Sequence, residues 1–258
     1  MSFRKSFVFA TLLIAGSATA FAADAGWNGT WKFNPAKSKL TGDTFTITEN
    51  GGKLHYSNGA QSYDFACDGK AYTTLANRKL TCTGSAQTGF DYTTTADGTT
   101  LSKSHRTLSA NGKTLTVKGQ TMHADGTTSA YEDVYKREGG TSGLAGKWVN
   151  VKTNTSPSIL VFRTSDSGLH MEFPASKETI DSKLDGSDAK VVGPTIPDGA
   201  LMSIKAESPT KLAVVTKYHT QVLSNSTYTL SADKKTITEE YWLPGNQGQK
   251  ETEIWEKQ

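Results

Sequence analysis

Thr44-Phe-Thr-Ile-Thr48 alternates apolar and polar residues, the period of a strand with one buried face. Similar short runs follow one another along the chain, separated by turn signals such as Asn50-Gly51-Gly52, Asp97-Gly98 and Asp125-Gly126. Asn111-Gly112, between Arg106–Ser109 and Thr114–Lys118, predicts a two-residue hairpin turn. Beyond Ala22 no segment keeps the period of a helix, and threonine is abundant while leucine is sparse, which suits pleated surfaces. At this turn spacing each half of the chain holds about eight to ten short strands, a sandwich or a closed barrel.

The chain repeats itself. Gly29-Thr-Trp31 returns as Gly146-Lys-Trp148, Leu54-His55 as Leu169-His170, and Asp68-Gly69 as Asp185-Gly186. Leu108-Ser-Ala-Asn-Gly-Lys-Thr-Leu-Thr116 returns as Leu230-Ser-Ala-Asp-Lys-Lys-Thr-Ile-Thr238. Both halves end on an acidic-aromatic strand, Tyr131-Glu-Asp-Val-Tyr-Lys136 and Glu251-Thr-Glu-Ile-Trp-Glu256. Consecutive hairpins favour up-and-down closure, since a closed sheet has no free edge. The expectation is an all-β chain of two tandem antiparallel up-and-down barrels, residues 23–138 and 144–258, joined by a Gly-rich linker at 139–143. Each half should then fold alone when cut in that linker. Alternation places Trp31, Phe45, Ile47, Tyr56, Phe65, Phe90 and Tyr92 inside the first barrel, and Trp148, Phe162, Met171 and Tyr241 inside the second.

The opening Gly29-Thr-Trp31-Lys-Phe-Asn-Pro-Ala-Lys-Ser-Lys39, the hairpin Ser109-Ala-Asn-Gly-Lys-Thr-Leu-Thr116 and the ending Asp133-Val-Tyr-Lys136 resemble those of uncharacterised, secreted, lipocalin-like bacterial proteins. The resemblance covers the first half well; the second half lacks Lys-Ser-Lys and has longer loops. It implies a small barrel with a pocket for an apolar ligand and carries over no catalytic residue.

The N-terminus changes the setting. Arg4-Lys5, the apolar run Phe7–Ala15 and the small-residue stretch ending Ala20-Phe-Ala22 read as a cleaved secretory signal peptide, residues 1–22. The run is well short of the ~20 residues that span a bilayer, so no membrane anchor is expected. No cysteine follows the cleavage point, so a lipoprotein is not expected either, and the destination is the periplasm or the medium. Without Arg4 and Lys5 the chain holds 26 basic and 25 acidic residues, a net charge of +1. Its charges are scattered, whereas nucleic acid needs a concentrated positive field. In an oxidising compartment Cys67 and Cys82, 15 residues apart, are expected to form a disulfide, which would contribute ~3 kcal/mol on the chain-entropy model.

Candidate chemistry is sparse. G-x-S-x-G, H-E-x-x-H and a dinucleotide-binding glycine motif are absent. Ser231-Ala-Asp-Lys234 fits S-x-x-K only as a hairpin turn, and Gly112-Lys113-Thr114 lacks the first glycine of a phosphate loop. Adjacent Glu239 and Glu240 point to opposite faces of a strand. His55, His105, His123, His170 and His219 include no short-spaced pair of metal donors, so no metal and no cofactor is expected. Lys217-Tyr218-His219 is the nearest polar cluster in the second half, split by alternation.

Arg106 stands out. If Leu108 points inward so does Arg106, and a guanidinium inside a barrel must find tyrosine hydroxyls, backbone carbonyls or a ligand carboxylate. The aligned position in the second half is Tyr228. The candidate site is therefore Arg106 with Phe45, Tyr56, Phe90 and Tyr92. The sequence favours a binding protein for a small hydrophobic or amphiphilic molecule, one that can carry a carboxylate. Two alternatives stay open: a partner-binding or inhibitory exoprotein with filled barrels, and a barrel-type isomerase, cyclase or hydrolase.

Overall fold

A computed structural model describes residues 25–140 and 143–258; the expected signal peptide lies outside the described residues. Twenty strands follow one another among them. The first half holds β1 (Gly29–Phe33), β2 (Thr44–Asn50), β3 (Lys53–Ser57), β4 (Ser62–Phe65), β5 (Ala71–Thr73), β6 (Lys79–Ser85), β7 (Gly89–Ala96), β8 (Thr99–Leu108), β9 (Thr114–Met122) and β10 (Thr128–Gly139). The second holds β11 (Gly146–Thr155), β12 (Ile159–Ser165), β13 (Gly168–Phe173), β14 (Glu178–Ser182), β15 (Asp185–Val192), β16 (Ala200–Ser208), β17 (Lys211–Tyr218), β18 (Gln221–Leu230), β19 (Thr236–Trp242) and β20 (Glu251–Lys257). All pairings between them are antiparallel, and the only helical elements among the described residues are three-residue 3-10 turns.

The all-β, two-barrel architecture is as expected, but the barrels are not the two halves of the sequence. The first barrel runs β4-β3-β2-β11-β10-β9-β8-β7-β6-β5, and the second is a closed ring of β1 and β12–β20. The halves have exchanged their opening strands. β11 lies between β10 and β2, with Trp148 opposite Phe45. β1 lies between β12 and β20, with Trp31 opposite both Leu160 and Lys257. The expected boundaries are corrected accordingly: the first barrel is the continuous segment 44–155, inserted between β1 and β12 of the second. Trp31 belongs inside the second barrel and Trp148 inside the first.

The cause lies in the supposed linker. Its described residues, Gly140 on one side and Gly143–Ala145 on the other, lie close together and leave the chain no room to act as a long tether. Gly140 has φ 95°, and a Cβ there would lie 2.4 Å from the Cα of Gly146, so only glycine fits. Arg137 pins the return, donating from Nε to the Gly112 carbonyl (2.7 Å), from Nη2 to that of Gly143 (2.6 Å) and from Nη1 to that of Ala145. Six residues reach ~20 Å at most. The chain therefore folds straight back and β11 pairs with its neighbour β10.

Each barrel is plugged at one end by the borrowed tryptophan. Trp148 lies under the Arg137 guanidinium, 4.4 Å from ring centre to Cζ, and its indole N–H donates to the Leu144 carbonyl. Trp31 lies under Lys257 and donates to the Trp27 carbonyl in the same i−4 relation. Away from the plugs, the open mouths face each other. The Asp125 N–H at the β9–β10 tip donates to Ala175 between β13 and β14, and Gln221 donates to the Ala60 carbonyl between β3 and β4.

The first barrel has a seam between β4 and β5, where expectation had a closed ring. β5 is so short that it covers only Lys79–Thr81 of β6. From Cys82 onward β6 is itself an edge, and there a disulfide to Cys67, just past β4, joins the two sides. The Cys82 carbonyl also accepts from the Gly69 N–H at 2.9 Å. The predicted bridge therefore does in the seam what strand pairing does elsewhere. A further small correction concerns Asn111-Gly112: Ser109 N–H donates to the Thr114 carbonyl, so four residues rather than two make the turn, with Gly112 in the left-handed region at φ 65°. Ser231 and Thr236 make the same closure in the second half, and Ser231-Ala-Asp-Lys234 is the turn it was expected to be.

Two outcomes follow. Cleavage within 140–143 should leave two pieces that are each incomplete and that assemble on mixing, whereas residues 43–156 alone should give a dispersed amide NMR spectrum. A native-like spectrum from either isolated cleavage piece would contradict the exchange. Replacing Cys67 and Cys82 by serine should lower unfolding free energy by about 3 kcal/mol. Amide exchange should accelerate first in β4–β6; acceleration centred on β12–β20 would show that the bridge does not hold the seam.

Candidate functional site

Alternation along β8 turns Arg106 inward and His105 and Thr107 outward, as expected. Arg106 sits opposite Phe90 on β7 and Val117 on β9. Its guanidinium carbon lies 3.8 Å from the ring centre of Tyr92, a stacking cation–π contact. Above it the rings of Phe45, Tyr56 and Tyr63 stack in series, at 5.4 and 4.9 Å, and Tyr135 meets Phe45 edge-on at 5.0 Å.

These side chains enclose a chamber of about 150 Å³, lined by Asp43, Phe45, Tyr56, Tyr63, Arg106, Val117, Tyr131, Asp133 and Tyr135. Gly119 on β9 makes room for one wall, because a Cβ there would lie 2.5 Å from the Tyr131 ring. Asp133 accepts from the Thr153 hydroxyl at 2.7 Å, and Asp43 from the Thr44 N–H at 2.9 Å. Burial raises both carboxyls above the usual range; the Thr153 bond and then the Arg106 charge oppose this at Asp133, and the Thr44 bond opposes it at Asp43. Burial also raises the Tyr56, Tyr63 and Tyr135 phenols and takes Tyr92 to about 12, so all four are neutral at physiological pH.

Arg106 has no matching acceptor. Its side chain makes no hydrogen bond and no ion pair with the described residues; its Nε and the Tyr92 hydroxyl are buried and unpartnered. Burial opposes its charge, but Tyr92, Tyr63, Tyr135 and Tyr56 around it outweigh burial and hold its pKa above the usual value, so the guanidinium stays charged. The chamber thus holds one fixed cation at its floor, two carboxyls at its rim, and phenols between. The geometry suits a small anion that reaches the guanidinium and offers a hydrogen bond to Asp43 or Asp133.

Of the expected site residues, Phe45, Tyr56 and Arg106 line the chamber together. Tyr92 lies outside its wall as the stacking partner of Arg106, and Phe90, across from Arg106, packs in the core and borders a separate recess with Leu54, Cys67 and Leu144. Asp43, Tyr63, Tyr131, Asp133 and Tyr135 were missed. Tyr131-x-Asp133-x-Tyr135 carried a readable signal, since alternate residues of one strand share a face.

The second barrel differs at the matched positions. Tyr228 stands where Arg106 does, and Glu239, opposite it, stands where Val117 does. Glu239 is buried and accepts from the Trp255 indole (3.3 Å) and from the hydroxyls of Ser226 and Tyr228. This polar core is satisfied from within. Glu240 faces the other way and pairs with Lys250, as alternation required. His55 pairs with Asp64, His105 with Asp91 and His170 with Asp181, cross-strand on the outer faces, and no metal-holding cluster occurs among the described residues. Lys217 pairs with Asp188. A larger depression, about 820 Å³, is an open trough along β7–β11, where Asp91 and His105, and Lys118 and Glu132, already pair with each other. Volume alone does not make it the site.

Comparison of the chain with protein-family models, with curated protein sequences and with solved structures gives no match.

Acidic groups line the second mouth too. Burial, with Glu239 and Glu251 nearby, raises Glu253 to about 8, and burial, with Asp43 and Asp133 nearby, raises Glu251 to about 7. Both carboxyls bind a proton more tightly folded than unfolded. Their contribution to stability is complete below the ordinary carboxyl range and is lost as pH rises through 7 and 8. The urea midpoint should therefore fall between pH 5 and pH 8, and Glu253→Gln should flatten that fall. A wild-type midpoint that rises over this interval would refute the assignment.

Proposed function

We propose that the chain is an exported binding protein that holds a small carboxylate-bearing molecule inside its first barrel. The observation that carries this reading is Arg106: a buried guanidinium, stacked on Tyr92, that faces a chamber without an acceptor of its own. Leaving such a group unmatched costs free energy, and a ligand carboxylate is the acceptor that would relieve it. The N-terminal basic-apolar-small pattern, the Cys67–Cys82 disulfide and the resemblance to secreted lipocalin-like proteins support export and the binding role.

The chamber narrows the ligand. At about 150 Å³ it is smaller than the ~300 Å³ and above of drug-sized sites, and comparable to cavities that hold a benzene-sized molecule. A long-tailed amphiphile does not fit there, and Phe90 lies outside the chamber. A benzoate-sized acid does, and Asp43 and Asp133 at the rim favour one with a hydroxyl on its far side, such as 4-hydroxybenzoate.

Titration of 4-hydroxybenzoate, benzoate and phenol, read by calorimetry, tests this. Both acids should bind with one site per chain. Arg106→Met should weaken them by about 2 kcal/mol, roughly 30-fold, with no effect on phenol, because only a charged hydrogen bond is removed. Equal acid affinity in the Arg106→Met protein, or no binding of either acid by wild type, would overturn the proposal.

A further inference from the structure

A second cavity lies where the mouths meet. It measures about 390 Å³, within the usual range of small-molecule sites. Both barrels supply its apolar wall: Leu75 and Leu80 from the first, Phe173, Ile180, Val191 and Met202 from the second. Phe173, Val191 and Met202 continue the second barrel's core upward yet are only partly buried, so this apolar surface faces space rather than protein. The strand exchange makes the cavity, because it sets one open mouth against the other.

Two features set it apart from a packing defect. The turn Leu75–Asn77, which reaches over from the first barrel, holds Ala76 and Asn77 in the left-handed region at φ 58° and 56°. Asparagine takes that conformation readily, but an alanine there is strained unless the surroundings impose it, and such strain gathers at ligand clamps. The same turn leads into Arg78, which lines the cavity with its Nε buried and without a partner. Arg78 makes no ion pair with the described residues; Glu178, also in the wall, stays beyond ion-pair distance, and burial raises its carboxyl above the usual range while the Arg78 charge only partly opposes this. Lys217, also in the wall, is already matched by Asp188. The cavity therefore combines an apolar interior with one unmatched cation at the lid.

We infer that this inter-barrel cavity is a second ligand site, for an apolar acid of medium-chain fatty-acid size, with its carboxylate at Arg78 and its chain against Phe173, Ile180 and Met202. It is independent of the Arg106 chamber: of the residues lining the two cavities, they share only Tyr63, whose ring, stacked on Tyr56, stands between them.

The test uses the full mature chain with decanoate and decanol as probes, read by calorimetry. Wild type should bind decanoate with one site per chain, and saturating 4-hydroxybenzoate should leave that binding unchanged. Arg78→Gln, which keeps a polar side chain of similar length at this half-buried position, should weaken decanoate at least tenfold and leave decanol within twofold. Ala200→Trp, which places an indole in the cavity from the start of β16, should abolish binding of both, with a circular dichroism spectrum confirming the fold. No decanoate binding by wild type, or changes within twofold in both variants, overturns the inference. Displacement of decanoate by 4-hydroxybenzoate also overturns it, because the acid would then occupy the Arg106 chamber.

Discussion

The six-residue return between β10 and β11 is the constraint on which the architecture rests. A chain that leaves β10 beside the first plug cannot reach the far plug of the second barrel, on the order of 40 Å away or more, with a reach of ~20 Å. β11 must therefore complete the first barrel, and β1 then fills the gap left in the second. The exchange costs nothing in contacts, since Trp31 and Trp148 occupy equivalent plugs, each under a cation from a closing strand, Lys257 or Arg137. It does change connectivity. The first barrel is continuous and rich in neighbouring hairpins, whereas the second must join β1 to β20, as in the pairing of Trp31 with Lys257. Contacts that far apart in sequence carry a large loop-closure cost, so the second barrel's ring is the slower of the two to close.

Strand content, repeat and disulfide were legible because they are local. Alternation in Thr44–Thr48, the paired Gly-x-Trp segments and the spacing of Cys67 from Cys82 each declare themselves within a few residues. The exchange was not legible, because Gly29-Thr-Trp31 and Gly146-Lys-Trp148 are equivalent strands. Either could complete either barrel with the same side chains inward, so no hydrophobic pattern distinguishes the arrangements. What decides between them is chain length at 140–145, and its composition reads equally well as a flexible linker or as a tight return.

The site was half legible for a related reason. Arg106 was placed inward by its two-residue offset from Leu108, and Phe45 and Tyr56 by their own strands. Its lack of an acceptor was not visible, since that depends on where Asp43 and Asp133 come to lie. Asp133 lies on β10 and Asp43 immediately precedes β2, the two strands paired with β11, which with β1 is one of the two strands whose barrel the sequence assigned wrongly. Tyr131, Asp133 and Tyr135 stood in plain alternation, but they read as a closing strand rather than as a wall.

The two barrels show how a duplicated scaffold divides its labour by exchanging interior polarity. At one cross-strand pair the second barrel has Tyr228 and Glu239, and the first has Arg106 and Val117. A buried carboxyl can be kept neutral by raising its affinity for a proton and can be satisfied by Ser226, Tyr228 and Trp255, so that interior closes on itself. A guanidinium has no such escape, because it stays charged whatever its surroundings. With Val117 where the second barrel has its glutamate, Arg106 is stacked on Tyr92 but unmatched. The first interior is thus left with an unpaired buried cation, while the second is satisfied from within. Across the junction Glu251 of the second barrel is electrostatically coupled to Asp43 and Asp133 of the first, and Glu253 is coupled to Glu251 and Glu239 within its own barrel. Protonation of Glu251 relieves its repulsion by Asp43 and Asp133, so the exchange that sets one mouth against the other also places like charges across the junction.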